Sequence, residues 1–215
     1  MTRYAIVVAG GSGTRMNSHV PKQFLIVDDE PIIIKTIRKF KEAYTSIQII
    51  VVLPEIHLSY WMDLAGQFPF IEKLTIAHGG ESRTTSVLSG LSKIKEDDSL
   101  VAVHDAVRPF VDIHTIKASF ESAEKFGSGV AAVPLKDSIR ELYPGKKSEA
   151  RNRSKYVLVQ TPQTFKAGKL KEAYAKIGDK AFTDDASVYE HAGEEVFLVE
   201  GSYSNIKITT PEDLK

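Results

Sequence analysis

Short apolar runs alternate along the chain with longer stretches in which apolar residues recur every three or four positions. Tyr4–Ala9, Gln48–Leu53, Leu74–Ala77, Leu100–His104 and Gly129–Leu135 are brief and rich in Val, Ile and Ala, which predicts buried strands. Between them, Pro31–Tyr44, Glu55–Gln67, Ser82–Ile94 and Ile113–Phe126 have helical spacing. Val87, Leu88, Leu91 and Ile94, for example, share one face. This alternation predicts an α/β fold, Rossmann-like, with a mostly parallel sheet flanked by helices and ligands taken at one sheet edge. Farther on, Tyr156–Gln160 reads as a strand, Phe165–Ile177 and Asp184–Ala192 as helices, and Val196–Val199 and Asn205–Thr209 as closing strands.

One segment breaks the pattern. Lys136–Lys155 holds seven basic and three acidic residues, one apolar pair and a Pro144-Gly145 turn. A solvated hairpin explains it, and so does a protruding β-arm that reaches a partner chain or an anionic substrate. The expected organisation is a single domain over residues 1–215, with this arm at about 136–157.

Composition narrows the function classes. The 28 basic and 28 acidic residues cancel, which gives no general reason to expect nucleic acid or a membrane surface as partner. Cysteine is absent, so disulfides, thiolate nucleophiles and cysteine-bound metals are excluded. No apolar run reaches the roughly 18 residues that span a bilayer. Met1–Tyr4 leads straight into a strand without a signal-like segment, and the expected compartment is cytoplasmic.

The candidate chemistry begins at Gly10-Gly11-Ser12-Gly13-Thr14-Arg15-Met16, directly after the first strand. Glycines there let backbone N–H groups approach phosphates. The dinucleotide fingerprint fails because Met16 stands where its third glycine belongs, and the P-loop lysine is missing. Arg15 and Lys22 flank the loop. Two such cations suit a triphosphate and would neutralise charge on a phosphorus under attack; an ordinary turn with two exposed basic residues is the plain alternative. Asp105 ends a strand at the same edge, where a carboxylate suits Mg²⁺, an N-cap or an ion pair with Arg108. His104 is expected to be structural, because a phosphate dianion needs no base before it attacks.

Six motifs occur in order: Ala9–Met16 with Pro21-Lys22-Gln23-Phe24, Gly79–Val87, Val103–Pro109, Gln160–Phe165, Thr183–Ser187 and Asn205–Thr209. Together they resemble the sugar-phosphate nucleotidyltransferases. More narrowly, they resemble cytidylyltransferases of polyol phosphates, in the methylerythritol-phosphate branch rather than the ribitol-phosphate one. The resemblance covers residues 4 to 214 and implies a nucleotidyltransferase-type fold and cytidylyl transfer from CTP to a polyol phosphate. It places Arg15, Lys22 and Lys207 as catalytic cations at the α-phosphate. Ala9, Gly10, Gly11, Gly13, Gly80, Glu81, Arg83, Ser86 and Asp105 would surround the nucleotide. Mg²⁺ or another divalent cation would sit at Asp105. Arg108, Ser138 and Thr161 would hold the polyol phosphate, with Arg153 donated by the second subunit of a homodimer. Arg151, two residues away, is an alternative to Arg153. Glu81 stands where Asp is common, and Ser138 where Thr is usual. Asp184 and Asp185 could bond substrate hydroxyls or cap a helix. The rival readings are a ribitol-5-phosphate cytidylyltransferase, a CTP-binding module without turnover, and a Rossmann oxidoreductase resting on Asp28-Asp29-Glu30.

Overall fold

The structure, a computed structural model, describes residues 1–10, 20–178 and 180–214. In chain order its strands are β1 (Thr2–Val8), β2 (Ile26–Val27), β3 (Glu30–Pro31), β4 (Gln48–Leu53), β5 (Thr75–His78), β6 (Ser99–Asp105), β7 (Ser128–Pro134), β8 (Ile139–Leu142), β9 (Ser148–Arg151), β10 (Val157–Lys166) and β11 (Leu198–Glu200). The helices are α1 (Ile32–Ala43), α2 (Leu58–Gln67), α3 (Arg83–Leu91), α4 (Ile113–Phe126), α5 (Ala167–Ala175) and α6 (Asp185–His191). A seven-stranded sheet runs β11-β7-β10-β6-β1-β4-β5. β1 is parallel to both β4 and β6, and only β10 runs antiparallel to its neighbours β6 and β7. The predicted mostly parallel sheet is therefore present.

Alternation along the strands builds two cores. Ala5, Val7, Val51 and Ala102 face one side, where Ile37 and Phe40 of α1, Trp61 of α2 and Phe120 of α4 cover them. Tyr4, Ile6, Val52 and Val103 face the other, under Val87 of α3, Leu170 and Tyr174 of α5 and Tyr189 of α6. Helix starts follow the capping chemistry: Asp112 accepts from the N–H of Thr115 at α4, and Ser82 accepts from that of Thr85 at α3. α4 stops at Gly127, whose φ of 97° a side chain would disfavour.

Three sequence expectations are corrected. The helix expected over Phe165–Ile177 begins at Ala167, because Phe165 and Lys166 extend β10 and pair with Val101 and Leu100 of β6. The strand expected over Tyr156–Gln160 runs on through a cis Thr161-Pro162 bond, with a register shift between Val159 and Gln163 where the proline interrupts the ladder. The strand expected over Asn205–Thr209 pairs with no other strand among the described residues. Its apolar alternation fails at Ile206, which is 39% exposed, while Ile208 is fully buried. β8 and β9 form a separate antiparallel hairpin, the expected arm.

Candidate active site

β1, β4 and β6 run parallel and end at one edge, and the strand order reverses at β1, with β4 and β5 on one side of it and the later β6 on the other. Such a switch point opens a crevice outside the strand ends. Ala9 continues β1: its N–H donates to the Val52 carbonyl at 2.9 Å, and its own carbonyl accepts from Gln23 Nε2 at 3.1 Å. Gln23 is 1% exposed and also meets His57 Nδ1 at 3.1 Å, while Phe24 stacks on Tyr60. Lys22 thus rides on a single turn whose next two side chains are anchored. It lines a cavity of about 410 Å³ with Gly10, Gly80, Glu81, Arg83 and Ser86. Gly11, Gly13 and Arg15, the remaining loop residues expected at the nucleotide, lie outside the described residues.

The far wall of this cavity is the start of α3. A Cβ on Gly80 would fall 2.2 Å from Thr85 Oγ1, so the cap of α3 leaves no room for a side chain there. The N–H of Gly80 donates to Ser86 Oγ at 3.1 Å. The Ser86 hydroxyl therefore braces the glycine turn rather than its own helix. A Cβ on Gly10 would come within 3.0 Å of the same oxygen, so bare backbone and one hydroxyl form this wall.

Asp105 closes β6 in the midst of three cations. Lys207 Nζ lies 3.0 Å and Arg108 Nε 3.3 Å from its Oδ2, and Arg83 Nε lies 4.0 Å from Oδ1. Burial alone would push this carboxyl up; the charges of Lys207, Arg83 and Arg108 outweigh it and hold the group well below the usual carboxylate range. The ion pair with Arg108 and a place at the crevice, set as alternatives by the sequence, coexist. Arg83, Asp105 and Lys207 also wall a second cavity of about 220 Å³, together with Arg108, Thr161 and Val159. The two cavities share two cations and one carboxylate.

Behind Asp105, Thr161 Oγ1 accepts from the Asp105 N–H at 3.1 Å and lies 3.0 Å from His104 Nδ1. His104 Nε2 lies 3.3 Å from the Arg108 carbonyl, which can only accept. Nε2 therefore carries the proton, Nδ1 accepts from Thr161, and the imidazole is neutral. Burial keeps it so by lowering the pKa to about 4. Thr161 is a wall of the second cavity and a brace for Asp105, and His104 is fully buried with both ring nitrogens engaged. Asp184 caps α6 by accepting from the Ser187 N–H at 3.1 Å. Asp185, fully buried, accepts from Arg83 and from the Tyr174 hydroxyl.

Ser138 and Arg153 are not brought to either cavity. Both are exposed on the arm, where the Arg153 guanidinium donates to the Lys136 carbonyl. Arg151 is engaged within the hairpin by Glu141 and Glu149. Sequence reasoning missed the bracing roles behind the cations: Gln23 beside Lys22, Asp185 against Arg83 in place of the cap or substrate contact expected of it, and Asn205 two positions before Lys207. Each lies inside a quoted motif, and each is a polar residue beside apolar ones. That juxtaposition is the signal a sequence offers for a buried hydrogen-bonding role.

A single Asp105 suits Mg²⁺, which commonly takes one or two carboxylates from the protein and the rest of its oxygens from substrate phosphates and water. No cluster of three or more His, Asp or Glu side chains placed to hold a metal occurs among the described residues. No helix among the described residues is long and apolar enough to cross a membrane.

Comparison with known proteins agrees with this geometry. Residues 4–215 match the family model described as 2-C-methyl-D-erythritol 4-phosphate cytidylyltransferase. A Phocaeicola vulgatus protein of that name is 46% identical over 216 residues, covering 100% of this chain and 97% of the other. The crystal structure of 4-diphosphocytidyl-2C-methyl-D-erythritol synthase from Anaerococcus prevotii superposes with a TM-score of 0.84 at 27% identity, over 99% of this chain and 94% of that one. The Francisella tularensis 2-C-methyl-D-erythritol 4-phosphate cytidylyltransferase gives 0.82 at 30% identity, over 100% and 97%.

Proposed function

The chain belongs to the 2-C-methyl-D-erythritol 4-phosphate cytidylyltransferase family, and on that premise we propose how its residues divide the reaction. The enzyme is a nucleotidyltransferase. It joins CTP and 2-C-methyl-D-erythritol 4-phosphate into the CDP-methylerythritol product, with pyrophosphate released, in the non-mevalonate isoprenoid pathway. The observation that carries the assignment of roles is the wall shared by the two cavities.

CTP takes the larger cavity, its base against the Gly80–Ser86 wall and its phosphates toward Lys22 and Gly10. The polyol phosphate takes the smaller one, beside Arg108 and Thr161. Val159 is the one apolar side chain among the described residues lining it, and it offers surface to the substrate's methyl group. An oxygen of the polyol phosphate attacks the α-phosphorus in line. The new P–O bond forms as the bond to the β-phosphate oxygen breaks, and pyrophosphate leaves with that electron pair. Lys22 and Lys207, with Arg15, stabilise the charge on the pentacoordinate phosphorus. The attacking dianion needs no base, and neutral His104 is tied to Thr161 and Arg108. Catalysis is positioning and electrostatics. Mg²⁺ or another divalent cation, held by Asp105, would supply further charge neutralisation to the triphosphate.

The chain is one nucleotidyltransferase domain over 1–215 with a dimerisation arm at about 136–157. Leu142, Tyr156, Val157 and Leu158 are exposed on and beside that arm and offer apolar area to a second copy. In the homodimer, Arg153 would complete the partner's polyol phosphate site. The balanced charge fits a cytoplasmic enzyme without nucleic-acid or membrane partners.

Pyrophosphate release with CTP and Mg²⁺ tests the reading, with 2-C-methyl-D-erythritol 4-phosphate and D-ribitol 5-phosphate offered in parallel. The methylerythritol phosphate should be preferred by at least about ten-fold in kcat/KM, the scale on which a pocket reads a methyl group. Equal or reversed preference would overturn the substrate assignment and leave the mechanism.

A further inference from the structure

Lys207 reaches Asp105 from a segment that pairs with no strand among the described residues. A lysine on such a segment has four rotatable side-chain bonds, and its ammonium is placed only as well as its backbone is. Two anchors flank it. Ile208 is fully buried, and its N–H donates to the Val107 carbonyl at 2.9 Å. Asn205 is the second, also fully buried. Its Nδ2 donates to the Thr161 carbonyl at 2.8 Å and to Gln160 Oε1 at 3.2 Å, and its own carbonyl accepts from Arg108 Nη1 at 2.8 Å. One residue therefore joins Thr161, Arg108 and, two positions on, Lys207. All three wall the second cavity.

The other half of the side chain has a cost. Asn205 Oδ1 is buried and has no hydrogen-bond partner among the described residues. An unsatisfied buried acceptor is destabilising, and an apolar residue of similar size would avoid that cost. An amide kept at that cost is one whose donor half is in use.

We propose that Asn205 is a positioning residue for cytidylyl transfer: its amide fixes the segment that aims Lys207, and its carbonyl fixes Arg108, against Thr161. The inference rests on the reading that Lys207 stabilises charge at the α-phosphorus. A double-mutant cycle separates it from a merely structural role. Parent, Asn205→Ala, Lys207→Ala and the double variant are compared for kcat at a temperature well below the melting point of each. Asn205→Ala should lower kcat about ten-fold in the parent but under about three-fold further on the Lys207→Ala background, because a residue acting through Lys207 has little left to position. Equal losses in both backgrounds, or an Asn205→Ala enzyme within about two-fold of parent, would overturn the inference. Should Lys207→Ala itself retain parent activity, the charge-stabilisation reading falls and this inference with it. A strong Lys207→Ala loss beside a harmless Asn205→Ala sinks the inference alone. Where Asn205→Ala does not fold, Asn205→Ser runs the same cycle, and failure of both to fold counts Asn205 as a folding residue and overturns the proposal.

Discussion

The cluster around Asp105 and the hairpin of β8 and β9 are both rich in charge, yet they are held together differently. Asp105 is 8% exposed and meets Lys207, Arg108 and Arg83 at a crevice floor that its own chain builds. Each cation is braced from behind: Arg83 by Asp185, Arg108 by the Asn205 carbonyl, and Lys207 by the Asn205–Ile208 anchors. In the hairpin, Arg151 meets Glu141 and Glu149 in solvent, and Leu142 is 80% exposed. Low dielectric and close packing make the first arrangement rigid and pre-oriented. Water screens the second, whose ion pairs contribute little, and the arm leaves apolar surface that a second copy would cover. One half of the proposed site is assembled within a chain, and the other half is presented outward.

The largest expected effect lies in the assembled half. Lys22→Ala should fold normally and lower kcat by about 10²–10³, the usual cost of removing one donor aimed at developing charge. Near-parent turnover would remove Lys22 from the catalytic set.

The next contrast is pH. His104 is buried and neutral, lowered to about 4. As pH falls through about 6.5, the unfolded chain takes up a proton there and the native chain does not. The unfolded state then binds more protons, so stability falls with pH between about 6.5 and 4, by roughly 3 kcal/mol from this group. Asp105, held below the usual carboxylate range, contributes stability that is present above its ordinary value and is lost only at more acidic pH. Urea unfolding of parent and His104→Gln across that window checks the point. The variant should show the shallower slope, and replacing the solvated charges of the arm should leave the slope unchanged. Parallel slopes for parent and His104→Gln would mean that the buried half carries no such lever.

Legibility in the sequence divides along the same line. The sheet, its two helical faces and the crevice edge follow from apolar runs such as Gln48–Leu53 and from caps such as Ser82 and Asp112, because local pattern and burial agree there. Lys22, Gly80, Ser86, Asp105 and Lys207 were found from motifs that the fold gathers at one cavity. The strand through Thr161-Pro162 is legible only as far as Gln160, because a proline interrupts a ladder and the register shift of β10 that accommodates it has no local signal. Asn205–Thr209 reads as a strand because Ile206 and Ile208 alternate with polar residues; the anchors that replace a ladder there lie 44 and more positions away in sequence. The braces behind the cations went unread for the same reason. Asp185 meets Arg83 across 102 residues, a pairing that no local pattern encodes.

The arm supplies the third test, about ten-fold in size. Arg153→Ala should lower kcat/KM for the polyol phosphate about ten-fold or more while leaving the KM for CTP near parent, as expected of a group that touches one substrate only. Complementation asks whose site it serves. A mixed dimer of Arg153→Ala and Lys207→Ala chains has one site with both side chains intact if Arg153 acts across the interface. Random mixing in equal amounts then restores about a quarter of parent activity, since half the dimers are mixed and each has one whole site. If Arg153 serves its own chain, every site in the mixture lacks one residue and no activity returns.

The smallest effect is expected two residues away, and it separates the arm's scaffold from its chemistry. Arg151 donates to Glu141 and to the Tyr143 hydroxyl, whose single proton lies between the carboxylates of Glu141 at 2.9 Å and Glu149 at 3.1 Å. The Arg151 hydrogen bond, ahead of that from Tyr143, holds the Glu141 carboxyl below its ordinary value. These partners account for the Arg151 fork, and a guanidinium so engaged is not poised for a second anion. Arg151→Ala should therefore leave the KM for the polyol phosphate within about two-fold of parent, and its effect on stability should be slight because exposed pairs contribute little. A loss as large as that of Arg153→Ala would reverse the assignment. Arg151 would then be the phosphate ligand, its hairpin contacts would have to break when the site closes, and the arm would be a switching element instead of a fixed support.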